Sequence, residues 1–100
     1  MIIEKTHIIS SLAGRDKGRL FIVMETEPDF VYLADGRLRK LESMKKKRLK
    51  HVAFVSPLGE RLAAKIRNGE KVLNSEIRRA LSEYSAEADA GNDAVSSTGR

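Results

Sequence analysis

Between Arg19 and Glu25 stand five consecutive apolar residues, Leu20-Phe21-Ile22-Val23-Met24, in a chain of 100 residues. The run is far short of the roughly 20 residues that a membrane span takes. As a strand it places Phe21 and Val23 on one face and Leu20, Ile22 and Met24 on the other, because successive side chains of a strand alternate. Both faces are apolar, so both must be covered. A strand that curls through a small barrel meets that condition.

The neighbouring segments fit the same architecture. His7-Ile8-Ile9-Ser10 is short and rich in β-branched residues, and Phe30-Val31-Tyr32-Leu33 follows a Glu27-Pro28-Asp29 turn. Asp35-Gly36 is a two-residue hairpin signal, since a type I′ turn needs positive φ at both positions. It predicts a return strand over residues 38–41, and a fifth strand is expected over residues 50–54. Five short strands with tight turns point to a small barrel or sandwich.

The second half changes period. Ser56-Pro57 reads as an N-cap followed by Pro at the first helical position, and Leu58, Leu62 and Ile66 then recur at i, i+4, i+8. Asn68-Gly69 is a stop signal. A second helix is expected from Asn74 or Ser75, with Ile77, Leu81 and Tyr84 on one stripe. From Ala86 onward the chain is Ala, Gly, Ser, Asp, Glu, Asn and Thr, with Val95 its one larger apolar residue before the final Arg, and disorder is the expectation. The organisation expected is a barrel over 1–55, a helical extension over 56–85 and a disordered tail over 86–100. The fold class is thus a mostly β N-terminal half with an α-helical C-terminal extension.

The net charge of +5 is unevenly placed. Residues 1–52 hold 12 Lys and Arg against 7 Asp and Glu, whereas residues 53–100 hold 7 of each. The excess concentrates in 37–51, where 8 Lys and Arg face Glu42 alone. A clustered basic surface on a small domain points to a polyanionic partner. With no Cys there is neither a disulfide framework nor a thiolate metal site. The segment Met1-Ile2-Ile3-Glu4-Lys5 lacks the order of a signal peptide, so the expectation is a cytoplasmic protein with no membrane partner.

Gly14-Arg15-Asp16-Lys17-Gly18-Arg19 lies between two expected strands. Gly18 is the residue expected to take a conformation that other residues resist, letting the chain reverse tightly. Arg15, Lys17 and Arg19 then project from a rigid platform; Arg can grip phosphate bidentately and Lys acts as a point charge. A plain turn with solubilising charges is the competing reading. A Walker A loop is excluded, because that loop continues into Lys-Ser/Thr and a helix, while Gly18 leads into Arg19-Leu20-Phe21. His7 and His51 have no ligand-spaced neighbour, and Ser10, Ser11 and Ser43 have no nucleophile-elbow context. No enzymatic activity, no metal and no cofactor are expected.

Residues 7–35, with the strand–loop–strand core around Gly18, resemble a KOW motif. The continuation Asp35-Gly36-Arg37-Leu38-Arg39-Lys40 and the run Lys45-Lys46-Lys47-Arg48-Leu49-Lys50-His51 look like the small bacterial KOW-domain proteins, which are similar to KOW-type large-subunit ribosomal proteins of archaea and eukaryotes. The resemblance covers about residues 4–54. It implies an SH3-like β-barrel, RNA binding, and a ribosomal or transcription–translation setting. KOW modules can also contact proteins, so a ribosomal or transcription protein is a second candidate partner.

As a loop, the run from Lys45 to Lys50 would be held extended by its like charges until an anion neutralised them, as RNA phosphates would. An exposed basic loop without a partner and a nuclear-localisation signal are its other readings. Two clusters are therefore expected to meet RNA: Arg15, Lys17 and Arg19 in the glycine loop, and Arg37, Arg39, Lys40, Lys45, Lys46, Lys47, Arg48 and Lys50 beyond it. Gly14, Gly18 and Gly36 are the expected structural turns. Phe21, Phe30 and Phe54 are expected in the core and Tyr32 half-buried, so recognition of phosphates and groove shape is favoured over single-strand reading on an aromatic platform.

Overall fold

The computed structural model describes residues 2–98, with side chains described through residue 86. Five strands form one antiparallel sheet: β1 (Ile8–Ser11), β2 (Leu20–Thr26), β3 (Phe30–Ala34), β4 (Lys45–Arg48) and β5 (Val52–Ser56). Their order is β4-β3-β2-β1-β5. Strands β1 to β4 meander, and β5 returns to pair with β1, Ile9 opposite Phe54 and Ser11 opposite Val52. The two edges, β4 and β5, are consecutive in the chain and joined by one 3-10 turn, Leu49–His51. The sheet therefore curls, but no ladder joins the two edges and it is not closed.

The two apolar faces of β2 are covered separately, as its sequence requires. Phe21 and Val23 pack inside the curl with Ile9, Val31, Leu33 and Val52, all buried. On the opposite face Ile22 and Ile8 pack against Leu58, Ala63, Ile66 and Ile77. These last come from the approach to α1 (Glu60–Arg67), from α1 itself and from α2 (Asn74–Thr98). With 8 residues α1 is too short to be stable alone, and the shared apolar stripe on the sheet holds it.

The helix boundaries differ from the sequence expectation. Ser56 belongs to β5, Gly59 is the N-cap of α1, and the Ser56 hydroxyl donates to the Pro57 carbonyl. The Ser-Pro signal lost because Leu58 reaches the core before the first helical turn begins. At the other end Gly69 (φ 72°) forms a Schellman cap, its N–H donating to the Ile66 carbonyl at 3.3 Å and Glu70 N–H to the Lys65 carbonyl at 2.9 Å. The segment expected to be a disordered tail, 86–100, is helical in its backbone as far as Thr98. Ala is the strongest helix former and recurs through this segment, and a helix satisfies its own backbone bonds without a core. Residues 99–100 lie outside the described residues.

A second correction concerns the chain after Asp35. There is no return strand over 38–41; a long loop and a 3-10 turn, Leu41–Ser43, precede β4. The Asp35 carboxylate ties this loop, accepting from the N–H groups of Arg37 at 2.8 Å and Arg39 at 2.9 Å. Asp35 N–H donates in turn to the Arg39 carbonyl at 2.9 Å. The loop then docks on the start of α2. Asn74 Oδ1 accepts from Leu41 N–H, Asn74 Nδ2 donates to Glu42, and the Arg78 guanidinium donates to the Gly36 carbonyl at 2.6 Å.

Gly36 stands at the centre of that docking with φ 76°, and a Cβ there would run into the Asn74 carbonyl and the Arg78 side chain. Gly18 has φ 86° but open space around it. Gly36→Ala is therefore expected to lose clearly more stability in urea unfolding than Gly18→Ala. The latter carries backbone strain alone, about 1–3 kcal/mol.

Candidate nucleic-acid interface

The glycine loop is a closed structure. Gly18 N–H donates to the Ser11 carbonyl at 2.8 Å and Arg19 N–H to the Asp16 carbonyl at 2.9 Å. Gly14 and Gly18 both have positive φ, 83° and 86°, as their positions in so tight a reversal demand. Arg15, Lys17 and Arg19 are exposed on its surface.

The basic run 45–50, read from the sequence as an extended loop, is instead strand β4 followed by the 3-10 turn. It pairs with β3, Lys47 opposite Val31 and Lys46 opposite Tyr32. Its side chains consequently divide between two faces. Lys45 and Lys47 turn one way; Lys46 and Arg48 turn the other.

Lys47 is the clearest departure from expectation. It is 9% exposed, and its Nζ donates to the Ala13 carbonyl at 2.7 Å and to Asp16 Oδ1 at 3.1 Å. Ser11 Oγ also donates to Asp16 Oδ1, at 3.0 Å. Burial by itself would raise the Asp16 carboxyl, but the bonds from Lys47 and Ser11 and the charge of Lys47 outweigh it and hold the pKa below its ordinary 3.8. Lys47 therefore clamps the glycine loop onto β4, and its ammonium, expected to be exposed, faces Ala13 and Asp16 instead of solvent.

The clamp brings together cations far apart in sequence. Arg15 and Arg19 from the glycine loop, Arg39 from the Asp35 loop and Lys45 from β4 line one cleft of about 410 Å³. Phe21 and Leu38 supply its apolar surface, and Asp16 and Asp35 also line it. Both carboxylates are already engaged, Asp16 by Lys47 and Asp35 by two backbone N–H groups. Four cations against two carboxylates, one of them paired with Lys47, leave the lining of the cleft net positive. Leu38 is 68% exposed at the tip of its loop, an apolar group that sequence reading passed over.

The remaining candidates lie elsewhere. Lys17, Arg37, Lys40 and Lys50 are exposed but do not line the cleft. Lys46 and Arg48 sit on the other face of β4 beside Phe30, with Lys46 Nζ 4.4 Å and the Arg48 guanidinium carbon 5.4 Å from the ring centroid. Tyr32 hydroxyl donates to Glu27 at 3.0 Å, and Lys46 lies 3.5 Å from the same carboxylate. Tyr32 and then the Glu27 charge hold the Lys46 ammonium above its ordinary pKa of 10.5. Phe30 and Phe54 are half-buried rather than core, Phe54 meeting the His7 ring edge-on at 4.8 Å. The i, i+2 spacing of Phe30 and Tyr32 was the signal that they share a face.

Among the described residues no three His, Asp or Glu side chains converge as metal ligands would, and no helix is long and apolar enough to cross a membrane. No protein-family model and no curated protein sequence matches the chain.

The clamp has a measurable signature. Lys47→Ala is expected to destabilise the fold by about 3 kcal/mol, since it leaves a largely buried carboxylate without its partner. Lys45→Ala should change stability by less than about 0.5 kcal/mol. The lowered Asp16 pKa makes the clamp's contribution complete above pH 3.8 and lost as pH falls through the folded-state value. Urea unfolding on either side of that range should show an acid-dependent loss in the parent protein that is diminished in Lys47→Ala.

Proposed function

We propose that this protein is a non-enzymatic RNA-binding module of the KOW type, cytoplasmic and ribosome-associated, gripping structured RNA by its phosphates. The observation that carries the reading is the convergence of Arg15, Arg19, Arg39 and Lys45, from three separate segments, on one cleft. Lys47 ties the glycine loop to β4, so the backbone that carries Arg15, Arg19 and Lys45 does not have to be ordered on binding, which lowers the entropic cost of association. Arg suits bidentate phosphate recognition, and the exposed Leu38 can rest on a sugar or base edge beside it. The strand order and the 3-10 turn between β4 and β5 support an SH3-like barrel left open between its last two strands.

A protein partner is the second reading. A groove of about 870 Å³ between α1, α2 and the end of β5, lined by Leu58, Leu62, Ala80 and Tyr84 among charged residues, favours it. Salt separates the two, because phosphate contacts release counterions and an apolar interface does not.

If all four cleft cations meet phosphate, log K for single-stranded RNA should fall by about 2.8 per decade of salt, at about 0.7 for each contact. Lys45→Ala and Arg15→Ala should each flatten the slope by about 0.7. Fluorescence anisotropy with a ribosomal RNA fragment measures this, and unrelated duplex DNA as competitor separates RNA reading from bulk attraction. Undetectable RNA binding at low salt would overturn the proposal in favour of the protein partner.

A further inference from the structure

The face of β3 that points away from the curl is covered only in part. Ile22, which pairs with Ala34, packs under the helices through the cluster containing Ile66 and Ile77. Tyr32 and Phe30 follow Ala34 on the same face, two and four positions along β3, and belong to neither core cluster. They are half-buried, at i, i+2 on one face, and lie outside the cluster that packs under the helices. Two aromatic side chains at i, i+2 on one sheet face, next to an edge strand, are groups of the kind that bases stack on.

The surroundings supply charge. Arg48 stands directly opposite Phe30 in the β3–β4 ladder, and Lys46 directly opposite Tyr32. Lys46 Nζ lies 4.4 Å from the Phe30 ring centroid and 5.7 Å from that of Tyr32. Lys46 occupies the ring face that a base would take, so stacking has this exposed, flexible side chain leave the ring for a phosphate of the nucleotide that replaces it. Glu27 holds the Tyr32 hydroxyl and Lys46 together and so fixes the ring. Its carboxylate, unlike a phosphate-binding group, can accept from the amino or imino N–H of a base.

We infer that Phe30 and Tyr32, flanked by Lys46 and Arg48, form a stacking platform for unpaired nucleobases of the bound RNA. The inference rests on the RNA reading above and extends it from phosphates to bases. Lys45 and Lys46 are neighbours on an edge strand, one turned toward the cleft and one toward the platform. A single strand passing over that edge can place its phosphates in the cleft and its next bases on the rings.

The test compares the full-length protein on two single-stranded probes of equal length, an oligouridylate and the corresponding abasic ribose-phosphate oligomer. Stacking predicts that the base-bearing probe binds about 10-fold tighter. It also predicts quenching of tyrosine emission, read in a Tyr84→Phe background where Tyr32 is the sole tyrosine of a chain without Trp. Tyr32→Leu and Phe30→Leu should remove the preference for the base-bearing probe while leaving abasic binding and its salt slope unchanged. Equal affinity of the parent protein for the two probes, with no quenching, would overturn the platform and leave the phosphate cleft standing; these two measurements need no platform variant to fold. A preference that persists in folded Tyr32→Leu and Phe30→Leu would place the base contact elsewhere and equally overturn it. Failure of both probes and of the ribosomal RNA fragment to bind would remove the RNA reading itself, and the platform with it.

Discussion

The ammonium of Lys47 lies between Ala13 and Asp16 and joins the glycine loop to an edge strand whose ladder runs to β3 alone. A buried charge pair is a poor source of net stability, because desolvation offsets much of the attraction, but it is intolerant of the wrong partner. That intolerance is what the site requires. If β4 slipped by one residue against β3, Lys47 would leave the interior, Lys46 would enter it, and the cations would exchange faces. Register in a strand of four charged residues cannot be set by apolar burial, and here the carboxylate of Asp16, assisted by Ser11, sets it.

The second support comes from the helices. They cover one end of the outer sheet face and also hold the Asp35 loop through Asn74 and Arg78. Arg39 therefore reaches the cleft from a loop fixed at both ends, by its own Asp35 carboxylate and by the first turn of α2. The C-terminal half of the molecule, which contributes no cation to the cleft, still determines where one of its walls stands.

Much of this was legible in the sequence. Strands β1, β2, β3 and β5 were marked by β-branched and apolar runs, the double-faced burial of β2 by its unbroken apolar stretch, and the tight reversals by Gly18 and Gly69. The stripe Leu58, Leu62, Ile66 foretold which faces of the helical segment meet the sheet. What could not be read was set by contacts distant in the chain. Lys45-Lys46-Lys47-Arg48 has no apolar alternation, so nothing local distinguishes strand from loop; its partner strand and Asp16 decide. Asp35-Gly36 has the composition of a two-residue hairpin, but the Asp35 side chain captures two N–H groups further on and opens a longer loop docked on α2. The grouping of Arg15 and Arg19 with Arg39 and Lys45 is likewise tertiary, and the sequence showed two basic clusters where the fold makes a shared cleft and a separate aromatic face.

The exposed edge of β4 has a consequence for the protein's behaviour in concentrated solution. An edge strand offers unpaired backbone N–H and C=O groups on which another strand can grow, and natural sheets guard such edges with lysines. β4 carries lysines at three of its four positions, and two copies brought edge to edge would set Lys45, Lys46 and Arg48 of each against those of the other. This repulsion is a colloidal safeguard built from the same side chains that the proposed function assigns to RNA. High salt, or a polyanion too short to cover the strand sterically, would neutralise the guard while leaving the backbone open, so self-association through β4 is the failure to which this architecture is most susceptible.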